Sequence, residues 1–301
     1  MPSFRAIHLR EPTHREGFIL VVVLWILASI SALAVSYTIY VVYSPAEIAV
    51  SEQRLKDDAL VAAAVEVAAF RQLTARPELR PGQGSYLFRL AQTDIHVSFC
   101  SEAARIDINQ APKALLAGLL TVVGLRPAEA DRYSDTVVRW RARASSDEVQ
   151  SNKEGARSRR IIPQLSELVQ IPGIPPELAN RVSPFATVYS GRPTIDVMDA
   201  APEVLAALPD MTAEGTKAIL AQRQAYPNDR QALMRMLGAA QKYATIEVGR
   251  TFRLNIQLSR GKGKLKRSEV IIVLFEEGTE PFSILSWRDE IGSQPQSGTT
   301  L

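Results

Sequence analysis

Arg15-Glu16-Gly17-Phe18-Ile19-Leu20-Val21-Val22-Val23-Leu24 opens an uncharged apolar run that ends only at Tyr43. As a helix this run measures roughly 39 Å, enough to cross a hydrocarbon core of about 30 Å with some tilt. Arg5, His8, Arg10, His14 and Arg15 precede it, and the first basic residue after it is Arg54. Positive charge on the short flank predicts that this flank stays inside and that everything after Tyr43 is exported. A plain signal anchor fits the same residues. So does a secretory signal peptide with Phe18–Ser31 as its apolar core and Ala32-Leu33-Ala34 as its cleavage site. Apolar character persists past Ala34, through Val35, Tyr37, Ile39 and Val42, which a removed peptide does not need.

The chain has 301 residues, a formal net charge of +3 and one cysteine, Cys100. The residues beyond Tyr43 leave room for one large or two small domains with proper cores. Basic residues are dispersed and nearly matched by acids, so charge does not point to nucleic acid. With one cysteine an exported domain has no internal disulfide and depends on burial for stability. Cys100 itself reads as a small buried apolar group.

Ser44-Pro45 should kink the helix or start a new turn. Beyond it, Leu55, Ala59, Ala63, Val67 and Phe70 recur at helical spacing and predict one amphipathic stripe through Leu73. Arg76-Pro77 and Arg80-Pro81-Gly82 end this helix. Alternation then predicts strands over Tyr86–Leu90 and Asp94–Phe99. Further strands are expected only near the C-terminus, over Ile246–Leu258, Val270–Phe275 and Phe282–Trp287, with a hairpin at Gly261-Lys262-Gly263-Lys264. The stretch between reads as mostly helical, so a sheet is interrupted by an insertion.

The insertion repeats itself. Ile106-Asp107-Ile108-Asn109-Gln110-Ala111-Pro112 and Ile195-Asp196-Val197-Met198-Asp199-Ala200-Ala201-Pro202 each lead into a helix with proline near its start. A turn and second helix follow each: Val123-Gly124-Leu125-Arg126-Pro127 through Trp140, and Leu208-Pro209-Asp210-Met211-Thr212 through Arg223. Ile171-Pro172-Gly173-Ile174 is a third turn of this kind, and Ala144–Arg160 reads as a polar loop. Such hairpins resemble the helix-hairpin-helix module, whose DNA-binding members hold phosphate on turn amides. The turns here lack the two closely spaced glycines which that contact needs, and Asp210 would occupy the phosphate position.

Arg157, Arg159 and Arg160, and Arg260, Lys262, Lys264, Lys266 and Arg267, read as solvated loop faces. No catalytic constellation emerges: His96 is the only histidine beyond the leader, and no HExxH, GxSxG or P-loop spacing occurs. Asp57-Asp58, Glu276-Glu277 and Asp289-Glu290 read as surface charge.

The Gly17-Phe18 junction resembles the processing site of type IV pilins and type II secretion pseudopilins. In those, a prepilin peptidase cuts on the cytoplasmic side and the new N-terminal Phe is methylated. Nearly the whole chain is similar to the minor pseudopilin K family of type II secretion. The most specific parts are Gly17-Phe18, Asp107-Ile108-Asn109-Gln110-Ala111-Pro112, Ser166-Glu167-Leu168, Ile171-Pro172-Gly173-Ile174 and Phe282-Ser283-Ile284-Leu285-Ser286-Trp287-Arg288. Val22 would be the fifth mature residue, where most pilins have Glu; family K shares that departure.

The resemblance implies an α+β fold, with a long N-terminal helix on a small antiparallel sheet and a large all-α insertion of helix-hairpin-helix-like units. The implied segments are leader 1–17, transmembrane half-helix 18–43, pilin-like part 44–106, helical insertion 107–245, completed sheet 246–290 and tail 291–301. It implies a non-enzymatic subunit capping the pseudopilus, single-pass in the bacterial inner membrane, with its C-terminal domain in the periplasm. Implied partners are minor pseudopilins I and J, with H and the major pseudopilin, plus the prepilin peptidase; no nucleic acid is expected. No cofactor is expected. Relatives carry an acidic stretch associated with calcium, but the corresponding Trp140-Arg141-Ala142-Arg143 is basic and the sequence names no calcium ligands. The alternative from another class is a membrane-anchored DNA-uptake or pilus-associated binding module.

Overall fold

The computed structural model describes residues 15–76, 79–142, 161–227, 229–260 and 264–290, without the side chains of 15–17, 38–51, 264–265 and 290. The leader before Arg15, the polar loop with Arg157, Arg159 and Arg160, the hairpin tip with Lys262 and the tail after Glu290 lie outside the described residues. Helix α1 (Arg15–Thr74) opens the chain. Residues up to Ala59 form one compact unit and Leu60 onward another. The helix continues through Ser44-Pro45, contrary to the expected new turn. Proline removes one N–H and one intrahelical bond, which a long helix tolerates without ending.

Strands β1 (Gln83–Leu90) and β2 (Thr93–Ser101) form a hairpin. Its two-residue turn, Ala91-Gln92, has φ of 47° and 62°, the left-handed pair that suits the strand twist. After the insertion come β7 (Thr251–Arg260), β8 (Lys264–Leu274) and β9 (Phe282–Glu290). The five strands pair antiparallel in the order β1-β2-β7-β8-β9, so β2 and β7 are sheet neighbours although the insertion separates them in sequence.

Alternate residues of the sheet face α1. Ile95, Val97, Phe252, Leu254, Ile256, Val270 and Ile272 are fully buried with Leu60, Val61, Ala64, Val65, Ala68 and Ala69 of the helix. Each large member stabilises by about 1.5–3 kcal/mol relative to exposure. The helical stripe is rotated from the predicted one: Leu55 and Phe70 are both 68 % exposed. Small side chains at 64, 65, 68 and 69 let the helix backbone approach the sheet, and that outweighs the burial of one Phe.

The insertion has its own core, built around Ile106, Leu115, Leu119, Ile171, Ile195, Leu205, Ile219 and Leu233. Its elements in order are β3 (Ile106–Asp107), α2 (Lys113–Val122), α3 (Pro127–Ala142), α4 (Pro176–Val182), β4 (Ala186–Thr187), β5 (Ile195–Asp196), α5 (Pro202–Ala206), α6 (Ala213–Ala225), α7 (Arg230–Met236) and β6 (Ala244–Thr245). It is therefore not purely helical, since β3–β4 and β5–β6 are two short parallel ladders. Strand character begins at Thr251 rather than Ile246, apart from the bridge at β6.

These ladders expose a duplication deeper than the repeated openings. Phe185-Ala186-Thr187-Val188-Tyr189-Ser190-Gly191-Arg192 matches Tyr243-Ala244-Thr245-Ile246-Glu247-Val248-Gly249-Arg250. In the first unit Ile106 pairs with Ala186 and Asp107 with Thr187; in the second Ile195 pairs with Ala244 and Asp196 with Thr245. The Ile108 N–H donates to Thr187 O at 2.8 Å, and the Val197 N–H to Thr245 O at 3.0 Å. Each opening aspartate also closes a local turn, accepting from Asn109 N at 2.7 Å or Met198 N at 2.9 Å. The two units touch where α2 meets the end of α5. A Cβ on Gly118 would collide there with the Ala207 carbonyl oxygen.

Candidate functional site

Phe18–Tyr37 is long and apolar enough to span a membrane. None of its side chains is buried by the chain itself, and Phe18 and Trp25 are each 73 % exposed. A continuous apolar surface of this size is unstable in water and requires lipid or other apolar helices around it. The segment contains no ionisable residue other than Tyr37. Gly17 lies within the helix, and Phe18 and Val22 are both on its exposed surface.

A second assembly of polar residues joins the sheet to the insertion. Glu102, fully buried in the 3₁₀ turn Glu102–Ala104, accepts from Arg253 Nε at 2.7 Å and Nη2 at 3.2 Å. Thr187 of β4 donates to the same carboxylate. Arg253 Nη1 pairs with Glu269 on β8 at 2.9 Å. The two glutamates hold the Arg253 guanidinium charged, raising its pKa against the opposing effect of burial. Arg105 donates to the Ser183 carbonyl from the same turn region. One arginine thereby connects the sheet, the 3₁₀ turn and the first helical unit. It touches side chains from Glu102 and Glu269, which no sequence window contains together.

Charged residues read as surface features also have structural partners. Glu276 bridges Arg80 at 3.5 Å and Arg250 at 2.8 Å, while Arg80 donates to Gln72 O, tying the end of α1 to the loop after β8. Asp289 accepts from Ser268 and Trp287 and pairs with Lys266, and these donors keep its pKa low despite partial burial. Cys100 is half-buried, and burial pushes its thiol pKa up, as befits an inert group. His96 is half-buried within β2.

The hairpin turns each contain one residue in the left-handed region: Gly124 at φ 93°, Gly173 at 87° and Asp210 at 61°. None offers the paired glycines of a phosphate-holding turn, and the Asp210 carboxylate would repel an anion. Arg141 is buried and donates to the carbonyls of Ile108 and Ala111 at 2.9 Å each, so a guanidinium already holds the oxygens a cation would want. Among the described residues no group of three or more His, Cys, Asp or Glu side chains could hold a metal ion.

The chain thus combines a candidate membrane-spanning helix with a mixed α and β fold whose antiparallel sheet is interrupted by a duplicated helical insertion. A family model described as type II secretion system protein K matches residues 91–191, which run from β2 through the close of the first helical unit. The fold is similar to a chain in the crystal structure of the GspK-GspI-GspJ complex from the type 2 secretion system of enterotoxigenic Escherichia coli. That likeness has a TM-score of 0.51 at 15 % identity, covering 80 % of this chain and 99 % of the other. No curated protein sequence matches the chain. The family model supports the minor pseudopilin K family of type II secretion over residues 91–191, and the solved structure supports the fold.

Proposed function

We propose that this chain is the tip-capping minor pseudopilin of a type II secretion system, and that it helps to initiate pseudopilus assembly. The observation that carries the reading is the exposed apolar segment Phe18–Tyr37 with Val22 at the fifth position from Phe18. In a helical filament, a buried carboxylate at that position compensates the terminal amine of an adjacent subunit, and alone it would cost several kcal/mol. A subunit with no neighbour above it has no amine to compensate, so an apolar residue suits the tip. The helical insertion, as bulky as the rest of the body, would block further growth.

The same reading supplies the remaining assignments. Residues 1–17 form a leader removed by a prepilin peptidase at Gly17-Phe18, and Phe18 is methylated. The 18–43 half-helix anchors the chain in the inner membrane, leaving the segments 44–106, 107–245 and 246–290 in the periplasm. The chain acts without catalysis or cofactor. Its partners are minor pseudopilins I and J, in keeping with the complex that holds the similar chain, with H and the major pseudopilin beneath. The test is copurification of the detergent-extracted full chain with I and J from the same cells. Stoichiometric recovery of both supports the reading. Failure to recover either, combined with salt-dependent DNA binding, overturns it in favour of a DNA-uptake module.

A further inference from the structure

The duplication makes one difference between its halves informative. In the first unit both oxygens of Asp107 are satisfied: Oδ1 accepts from Asn109, while Oδ2 accepts from Gly191 N at 2.7 Å and Ser190 Oγ at 3.2 Å. In the second unit Val248 stands where Ser190 stands in the first, and has no hydroxyl to give. Gly249 matches Gly191, yet its N–H makes no bond to Asp196, whose Oδ2 is buried without a hydrogen-bond partner. Arg223 lies in the same cluster. Its Nη1 donates to Ala200 O at 2.8 Å, but its Nε and Nη2 are buried and unpartnered.

We propose that the Asp196–Arg223 cluster is a proton-operated latch on the second helical unit, tight when Asp196 is protonated and loosened when it is ionised. Asp196 sits in the β5–β6 ladder that closes this unit, so the ladder holds together only as well as its aspartate is accommodated. A neutral carboxyl tolerates one unpartnered oxygen, whereas a buried carboxylate with an unmet acceptor is costly. The facing charges are Asp199 from the same loop, Arg223 of α6 and Arg230 of α7. Arg230 Nη1 is engaged by the Ile246 carbonyl at 3.1 Å. Nearby Glu102 is held by Arg253, and Glu247, just after β6, lies 3.7 Å from Arg192. Burial is the first cause that pushes Asp196 up to about 7; Asp199 adds to it, and the Met198 N–H and the two arginines offset only part. The sign follows: the closed unit binds a proton that the opened one releases, so closure weakens as pH rises from about 4 to about 7 and is level above. The inference rests on the ladder geometry and holds whether or not the chain caps a pseudopilus.

The test is hydrogen exchange in the detergent-solubilised full chain, following the 195–200 and 244–248 segments at pH 5, 7 and 8.5 in wild type, Asp196→Asn and Val248→Ser. Comparing proteins at equal pH removes the intrinsic pH dependence of exchange. Asp196→Asn keeps the acceptor for Met198 but cannot ionise. The wild-type to Asp196→Asn rate ratio should rise at least tenfold from pH 5 to pH 7 and level off above. Val248→Ser places a hydroxyl at the position that matches Ser190, giving up some packing of Val248 against the sheet core, and should slow exchange at pH 7 toward Asp196→Asn. A ratio that is the same at pH 5 and pH 7 overturns the latch. So does Val248→Ser exchange as fast as wild type at pH 7, which remains decisive should Asp196→Asn fail to fold.

Discussion

The two halves of α1 use apolar residues in opposite ways. Over Phe18–Tyr37 large side chains cover every side of the helix and the chain buries none of them. Over Leu60–Gln72 one face carries small residues, Ala64, Val65, Ala68 and Ala69, sealed against the sheet, while Phe70 is left outside. The second half is held by its own chain, and the first has an apolar surface that only lipid or other helices can satisfy. The helix therefore leaves its hydrophobicity unmatched in the first half and places stability in the second, where small side chains permit close packing.

The strongest way to break this comparison is to charge the first half. Leu24→Arg with Leu27→Arg should oppose membrane insertion by about 6 kcal/mol. The protein should move from the membrane to the soluble fraction, with near-unchanged thermal stability of the Leu60-onward unit in calorimetry. Within that unit, Phe252→Ala removes a fully buried ring under the second half of the helix and should cost about 3–5 kcal/mol in denaturant unfolding. Phe70→Ala, on the helix but off the buried face, should cost less than about 0.5 kcal/mol. Equal effects from the two phenylalanines would refute the rotated stripe.

Arg253→Ala should cost about 3–5 kcal/mol, because Glu102 would remain buried with its charge unmatched. Smaller effects belong to the turns. Ala91-Gln92 replaced by Asn-Gly should stabilise by about 1–2 kcal/mol, because both positions are left-handed. Asp210→Gly should gain about 0.5–1 kcal/mol for the same reason, read as a rise in Tm.

The sequence displays these layers unequally. The apolar run and the alternation in β2 were legible because each repeats one chemistry at one period over many residues. The buried stripe of α1 was misplaced because Leu55 and Phe70 look more hydrophobic than the alanines that the sheet selects. The openings of the two helical units were legible as Ile-Asp followed by proline. Their closings, Ala186-Thr187 and Ala244-Thr245, were not, since two residues carry no periodicity. The Glu102–Arg253 pair spans 151 positions and has no local signal at all. Ala91-Gln92 concealed a tight turn because it lacks the glycine or asparagine that usually marks one.

The central claim is that the apolar half of α1 starts at a processed junction and belongs to a pseudopilin. Intact-mass and N-terminal peptide spectrometry of the protein recovered from its own membrane tests this most directly. The account predicts a chain beginning at Phe18 with a methylated amine. A chain that retains its leader, or one that begins at Val35, would contradict it.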